Sequence, residues 1–162
     1  MQRVGLGRDI HRLAAGRKFL LGGVEIPFDK GPLGHSDGDA LTHAIIDALL
    51  GAAALGDIGE YFPPDDPVYK NADSIMLLKK AWNNIREKGW SLVNLDCTVI
   101  CDKPKLLPHR EKIRLSLALA LEVDPGLISV KGKTNEGLGP SGTGEAVEAW
   151  AICLLQEVRG EG

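Results

Sequence analysis

The sequence predicts an α/β (α+β) fold in which helices pack on one face of a mixed β-sheet. Segments with the two-residue periodicity of strands alternate along the chain with segments that have the 3.6-residue periodicity of helices. The chain has 162 residues and a hydrophobic content of 44%, which suffices for one domain with a substantial core. We therefore expect a single domain over residues 1–162, without internal repeats or linkers.

Charge and cysteine content exclude several classes of protein. The net charge is −3 and no dense stripe of Lys and Arg occurs, so we expect neither a nucleic-acid partner nor binding to a membrane surface. The three cysteines form no Cys-x-x-Cys pair and lie in apolar segments, which is typical of buried thiols in a reducing compartment. We find no signal-peptide pattern and no apolar run of membrane-spanning length. The expectation is a soluble, cytoplasmic protein.

The first strand carries a potential metal site. Asp9 and His11 lie two residues apart, so their side chains point to the same face. That face also carries Gly5 and Gly7, whereas the opposite face carries Val4, Leu6 and Ile10. His43 lies in a helical run that would bring a third ligand against this strand. Asp47 follows one helical turn later and is either a partner that holds an imidazole in one tautomer or an ordinary polar residue. Three N and O ligands with an open fourth position match a catalytic zinc site, and polar residues at a strand end are the alternative.

The remaining elements follow from local periodicity and turn residues. Gly22-Gly23 is expected to join two short strands of a hairpin. The helix that begins at Asp39 is apolar nearly all round, so it should be buried on more than one face. The other expected elements are a helix at 73–88, a strand at 92–101, a helix opened by Pro108, a strand at 127–134, a Gly-rich loop at 137–144 and a last helix at 145–158.

The loop at residues 35–39 precedes the helix of the third ligand, and two interpretations of it are open. Asp37 or Asp39 can cap the helix. Alternatively, the free N–H groups at the helix start form an anion-binding corner with His35 and Ser36.

Two later loops carry groups that suit phosphate. Lys103 and Lys105 lie beside a predicted helix N-terminus, although solvated lysines are the commoner outcome. Glu136 follows the strand at 127–134, and one carboxylate combined with substrate phosphates is the usual way in which Mg²⁺ is held; an exposed turn is the alternative. Lys131 and Lys133 lie at the end of the same strand, so the Glu136 loop also bears lysines. A zinc-type site, a carboxylate loop and two Lys-bearing loops together imply a diphosphate substrate.

Over essentially its full length the chain resembles the 2-C-methyl-D-erythritol 2,4-cyclodiphosphate synthases of the non-mevalonate isoprenoid pathway. The segments that carry the resemblance are Asp9-Ile10-His11, His35-Ser36-Asp37-Gly38-Asp39, His43, residues 50–59, Pro104-Lys105 and residues 131–139. Six matching blocks in the same order make the resemblance very specific.

The resemblance implies a homotrimer with active sites between neighbouring subunits. The substrate would be 4-diphosphocytidyl-2-C-methyl-D-erythritol 2-phosphate, whose 2-phosphate attacks the β-phosphate, releases CMP and closes a cyclic diphosphate. By the same resemblance, Zn²⁺ is held by Asp9, His11 and His43, and Mg²⁺ or Mn²⁺ is held by Glu136. This is coherent, because phosphoryl transfer mostly requires positioning and charge neutralisation.

The resemblance also assigns roles to other residues. His35 and Thr134 would stabilise charge in the transition state. The substrate-binding residues that it implies are Asp9, Ile10, His11, His35, Ser36, Asp57, Ile58, Gly59, Phe62, Asp66, Cys101, Pro104, Lys105, Leu106, Leu107, Lys133, Thr134, Asn135 and Glu136. Those up to Asp66 would line the methylerythritol end, and those from Cys101 onward would take the cytidine diphosphate.

The chain departs from the family pattern in two places. The loop at residues 62–66 reads Phe-Pro-Pro-Asp-Asp, where relatives usually have Phe-Pro-Asp-Thr-Asp. Pro140 and Thr143 stand where many relatives have Phe and Arg, and that Arg, with a Glu matching Glu145, contributes to an apical trimer cavity for isoprenoid diphosphates. The resemblance therefore does not carry this cavity over to the chain.

Two other functions are weighed against the synthase. A metal-dependent phosphoesterase on the same scaffold would use water as the nucleophile, but no obvious general base for water lies near the predicted metals, Asp47 excepted. A trimeric binding module would use metals only to join subunits, and the open zinc position argues against it. Product analysis separates the three.

Overall fold

The computed structural model describes residues 1–158 and contains a five-stranded sheet, a separate hairpin and five helices in that range. The strands are β1 (Gln2–Ala15), β2 (Phe19–Leu21), β3 (Val24–Ile26), β4 (Lys30–Pro32), β5 (Trp90–Ile100), β6 (Ile128–Lys133) and β7 (Ala146–Glu157). The helices are α1 (Ala40–Ala52), α2 (Ile58–Tyr61), α3 (Ser74–Glu87), α4 (Arg110–Leu121) and α5 (Gly139–Gly142), with 3₁₀ turns at Pro67–Tyr69, Leu107–His109 and Pro125–Leu127. None of the helices within residues 1–158 is long and apolar enough to cross a membrane.

The sheet is mixed, as the sequence predicts. Its strand order is β4-β1-β7-β5-β6, with β5 and β6 parallel and the other neighbours antiparallel. Helix α1 packs on β1 and β7, α4 packs on β6, and α3 packs on α1 and α4. These helices cover one face of the sheet, where the inward side chains of β5, β6 and β7 are buried.

The predicted last helix at 145–158 is wrong, because this segment forms β7, the central strand of the sheet. The apolar positions of the segment fit a helical stripe, but they also alternate, with Val147, Ala149 and Ala151 buried against the helices. Trp150 and Ile152 point to the opposite face and are partly exposed. Both faces of β7 are apolar, so local periodicity does not separate strand from helix, and the pairing with β1 and β5 decides the outcome.

Helix α1 is buried nearly all round, as predicted, because the sheet covers one side of it and α3 the other. Asp39, fully buried, is the residue that caps it: its carboxylate accepts from the N–H of Thr42 at 2.9 Å. The same carboxylate accepts from Gly22 and Gly23 of the hairpin turn at 3.0 and 2.8 Å. One side chain therefore fixes the start of α1 and the hairpin together.

Candidate active site

Three side chains that can bind a metal converge where β1 meets the first turn of α1. Asp9 Oδ2 lies 2.7 Å from His11 Nε2 and 2.9 Å from His43 Nδ1. The two ring nitrogens lie 3.2 Å apart. These three residues form a group that could hold a metal ion, as the alternation of β1 predicts.

The approach of α1 to β1 depends on two glycines. A Cβ atom on Gly7 would lie 1.8 Å from the carbonyl oxygen of Ala44, and one on Gly5 would lie 1.8 Å from that of Ala48. Any side chain at either position would push the helix away from the strand. The glycines therefore allow the helix backbone close enough for His43 to reach Asp9.

The charge balance at this centre calls for a cation. His11 Nδ1 donates to the carbonyl of Leu33 at 2.7 Å, which leaves the lone pair of Nε2 facing Asp9 when the ring is neutral. Without a bound metal, the ring nitrogens of His11 and His43 that face Asp9 can carry a proton. Burial would raise the pKa of Asp9, but hydrogen bonds from these nitrogens outweigh it and lower the pKa to about 2. Burial would lower the pKa of His11, but the Asp9 carboxylate raises it above its ordinary value. The carboxylate is thus an anion at neutral pH that attracts a proton or a metal ion.

The spacing of the ligand atoms fits a divalent metal. Zinc bound tetrahedrally at 2.0–2.1 Å requires ligand atoms about 3.3 Å apart. The distances among Asp9 Oδ2, His11 Nε2 and His43 Nδ1 are 2.7–3.2 Å, so a widening of a few tenths of an ångström admits the ion. All three side chains keep part of their surface exposed, which leaves access for a further ligand.

A cavity of about 200 Å³ adjoins the three ligands. Its lining contains several residues that the family resemblance implies for the substrate and also Pro64, Tyr69 and Leu77; the full set is His11, His35, Ser36, His43, Ile58, Gly59, Phe62, Pro64, Tyr69 and Leu77. Two other implied residues cap short helical turns, Asp57 by accepting from Glu60 N–H and Asp66 by accepting from Val68 N–H. Ile10 points to the opposite face of β1 and is partly exposed.

Asp47 does not hold an imidazole tautomer. Its carboxylate accepts from the N–H of Ile58 at 2.8 Å and so fixes the start of α2. The outer nitrogen of His43, Nε2, instead contacts the hydroxyls of Ser36 at 2.9 Å and Ser74 at 2.8 Å. Sequence reasoning missed Ser74, whose only signal is its place directly after a helix-capping aspartate.

A second cavity, of about 270 Å³, lies between the ends of β5 and β6 and the start of α4. Its lining is Cys101, Asp102, Pro104, Lys105, Leu106, Leu107, Arg110, Gly132, Lys133 and Thr134. The side chains include three cations, Lys105, Lys133 and Arg110, which suit an anionic ligand. Arg110 was missed from the sequence, although it opens a helix beside the lysines. Lys131 points elsewhere and pairs with Asp96 at 2.5 Å, and Lys103 lines a different cavity.

Glu136 lies in a tight loop beyond this second cavity. Thr134 Oγ1 donates to its Oε1 at 3.0 Å. Asp102 holds the loop, because its two carboxylate oxygens accept from the N–H groups of Asn135 at 2.6 Å and Gly137 at 2.9 Å, on either side of Glu136. The side chain of Asn135 turns inward and donates to the carbonyl of Leu138 at 3.0 Å.

The two cavities share no lining residue and lie on different strands of the sheet. The strand register runs from Asp9 to Ala149, then to Val99 and then to Gly132. Three interstrand spacings of about 4.8 Å separate the first and last of these residues by roughly 14 Å. The structure therefore brings together the ligands of the first cavity with one another, but not with the Glu136 loop of the same chain.

Comparison with known proteins gives a consistent family. Residues 2–156 match the model of the YgbB family. The chain is 55% identical over 157 residues to the 2-C-methyl-D-erythritol 2,4-cyclodiphosphate synthase of Chromobacterium violaceum, covering 97% of this chain and 99% of that protein. It is 54% identical over 153 residues to the same synthase of Treponema denticola, covering 94% of this chain and 95% of the other. A solved structure of such a synthase in its CDP-bound form has a TM-score of 0.88 and 41% identity, covering 95% of this chain and 100% of that one.

Proposed function

The chain belongs to the YgbB family, and from that membership we propose that it converts 4-diphosphocytidyl-2-C-methyl-D-erythritol 2-phosphate into 2-C-methyl-D-erythritol 2,4-cyclodiphosphate and CMP. The observation that carries the proposal is the convergence of Asp9, His11 and His43 at the edge of an open cavity. The relatives named for this reaction match the chain over nearly its whole length.

Zinc is the metal that we propose for this centre, because two imidazoles and one carboxylate are ligands that it accepts. A bound zinc ion supplies Lewis-acid polarisation of a phosphoryl oxygen. The chain contributes an anionic Asp9 and two ring nitrogens fixed by their neighbours. Glu136 would anchor Mg²⁺ or Mn²⁺, since one carboxylate and substrate phosphates form an ordinary site for such a cation.

The polar residues of the two cavities account for the rest of the reaction. His35, beside the metal ligands, would donate a hydrogen bond to a phosphoryl oxygen as charge develops on it. Thr134 would do the same once its hydroxyl turns from Glu136 to the substrate. Lys105 and Lys133 would bind the diphosphate, with the cytidine end in the second cavity. The methylerythritol end would occupy the first cavity, and binding there would hold its 2-phosphate near the phosphate that it attacks.

We also propose a homotrimer in which each active site lies between two subunits. Asp9 and Gly132, the latter on the strand that leads to Glu136, lie roughly 14 Å apart across three strand spacings of one chain. Metals that bind neighbouring phosphates of one substrate must lie closer together than that. We therefore propose that each active site has two halves. The zinc half, formed by Asp9, His11 and His43 of one subunit, lies against the Glu136 half, formed by the second cavity and the Glu136 loop of the next subunit. The open face of β1 and β7 supports assembly, because its apolar side chains Val4 (63% exposed), Leu6 (62%), Ile10, Trp150 and Ile152 have no covering element within residues 1–158.

The proposed partners are the small-molecule substrate and further copies of the chain. A cytoplasmic location belongs to the same proposal, supported by three cysteines that are all buried and free. Free buried thiols are typical of proteins in reducing compartments.

The proposal is tested by incubating the protein with the substrate, Zn²⁺ and Mg²⁺ and following the products by phosphorus NMR. A cyclic diphosphate with stoichiometric CMP is the expected result. A linear hydrolysis product would instead indicate a phosphoesterase, and unchanged substrate would indicate a binding protein. Either of these outcomes contradicts the proposal.

A further inference from the structure

The imidazole of His43 presents its two nitrogens to different neighbours. Nδ1 lies 2.9 Å from Asp9 Oδ2 in the metal centre. Nε2 lies 2.8 Å from the hydroxyl of Ser74 and 2.9 Å from that of Ser36. A neutral imidazole carries one proton, so only one nitrogen can offer its lone pair to a metal. The hydrogen bond made by the other nitrogen decides which one it is.

Ser74 is fully buried at the start of α3 and is bonded to Asp37 through two of its groups. Its hydroxyl donates to Asp37 Oδ1, and its backbone N–H donates to Asp37 Oδ2 at 3.0 Å. An ionised carboxylate can only accept hydrogen bonds. The single hydroxyl proton of Ser74 is therefore committed to Asp37, and the hydroxyl oxygen can only accept a hydrogen bond from the N–H of His43.

Asp37 is itself held in place from two sides. Its Oδ1 also accepts from the N–H of Asp39 at 3.1 Å, and its own N–H donates to the carbonyl of Ala72 at 3.2 Å. Ser36 cannot set the direction of the hydrogen bond in the same way, because within residues 1–158 its hydroxyl has no acceptor other than His43 that would fix its proton. The fixed direction comes from Asp37 through Ser74.

We propose that Asp37 and Ser74 are positioning residues of the metal centre, which keep the proton of His43 on Nε2 and leave Nδ1 free to bind the metal. The inference rests on the zinc site of the proposed function. Neither residue lines the cavity beside the metal ligands. They act through His43, in the way that carboxylates behind metal-binding histidines orient the ring and raise its basicity, with a serine hydroxyl inserted between the two.

The test is the dissociation constant of zinc, measured by chelator competition on metal-stripped full-length protein. Ser74→Ala and Asp37→Asn should each weaken zinc binding by about 10–100-fold, the range typical of such outer partners. Ser74→Thr keeps the hydroxyl and should bind zinc nearly as the parent does. Asp73→Asn is the matched control, because Asp73 caps the same helix by accepting from Ile75 N–H and does not contact His43.

A double variant shows whether Asp37 acts on His43 through Ser74, which we call the relay, or whether both substitutions only disturb the start of α3. If Asp37 acts only through Ser74, Asp37→Asn should cause no further loss of zinc affinity in the Ser74→Ala background, whereas independent effects would multiply. Nitrogen NMR of the zinc-loaded parent should show His43 protonated on Nε2. If Ser74→Ala does not fold, the zinc affinity of Asp37→Asn still tests the proposal, because asparagine is nearly isosteric with aspartate.

Parent-like zinc affinity in the folded Ser74→Ala or Asp37→Asn variant would overturn the proposal, and so would multiplied losses in the double variant. None of these measurements requires turnover. A parent protein that shows the relay but forms no cyclic product would contradict the proposed function and leave the positioning role in place.

Discussion

Glu136 combines an exposed carboxylate with a constrained backbone. Its φ of +53° lies in the left-handed region, which a non-glycine residue adopts only when its surroundings enforce it. Asp102 provides that constraint, because its carboxylate accepts hydrogen bonds from the N–H groups of Asn135 and Gly137, on either side of Glu136. The carboxylate is therefore held in one place without any contribution to the core.

The first prediction concerns Glu136→Gln. Zinc content and assembly should stay unchanged, because Glu136 lies in an exposed loop away from the zinc ligands. Turnover should fall about a hundredfold or more, as is usual when electrostatic stabilisation of a transition state is removed. Metal analysis and a Mg²⁺ titration of the rate provide the measurement, with the exposed Glu25→Gln as control. Loss of zinc, or a normal rate and Mg²⁺ dependence, would contradict the division between two metals.

The three thiols give a second prediction at the scale of single residues. Burial raises the pKa of Cys101 to about 11 and that of Cys153 to about 12, and it raises the pKa of Cys97 further. Because the thiolate is the nucleophile, these groups stay protonated and unreactive in the folded protein at pH 8. Labelling by a disulfide reagent should be slow in buffer and complete in denaturant. Rapid labelling of Cys97 or Cys153, which lie within β5 and β7, would contradict the prediction and show that these strands open readily.

The sequence predicts some residues of the site better than others. Asp9 and His11 follow from alternation along one strand, because two residues are enough to define a shared face. Ser74 and Asp102 act through hydrogen bonds to groups more than 30 residues away, and no periodicity encodes such a pairing. The roles of His35 and Thr134 stay predictions from family resemblance.

At the scale of elements, close packing of α1 on β1 is what builds the metal centre. The predicted strand and helix are both present, but their separation is a property of the packed pair, set by Gly5 and Gly7 against Ala44 and Ala48. The prediction from sequence is also wrong at β7, where the spacing of the apolar residues suits both a helix and a central strand. In both cases the outcome depends on neighbours that the local sequence does not identify.

The third prediction is that Gly7→Ala separates the proposed zinc ligands. The added methyl group meets the backbone of α1, so we expect a loss of about 1–3 kcal/mol in the free energy of unfolding, as for other overpacked cores. Zinc affinity should fall as well, because His43 moves away from Asp9. Gly51→Ala is the matched control, since outside its chain neighbours and the backbone of α1 no atom lies within 4 Å of the added carbon. The higher helix propensity of alanine should stabilise α1 by up to ~1 kcal/mol. Denaturant unfolding and zinc analysis of both variants test this, and equal zinc affinity in the two would contradict it.

At the scale of the whole molecule, the sheet presents two different surfaces. The helices bury one face, while β1 and β7 leave apolar side chains such as Val4, Leu6 and Trp150 on the other. On the same open face, β5 carries polar residues such as Asp96, which pairs with Lys131. The apolar half is suited to contact with other copies of the chain, and under the proposed function that contact would bring the two cavities of neighbouring chains together.

The last prediction uses two inactive variants, His43→Ala and Glu136→Gln, to test where the active site lies. In a ring of three subunits, each site combines the zinc half of one chain with the Glu136 half of the next. Every mixed trimer then contains one subunit interface at which both halves are intact, so purified mixed trimers should show about a third of the parental activity. Co-expression with separable tags, purification of mixed oligomers and a CMP-release assay provide the measurement. If each site lay within a single chain, the mixture would show only the residual activity of the two variants, and the intersubunit site would be wrong.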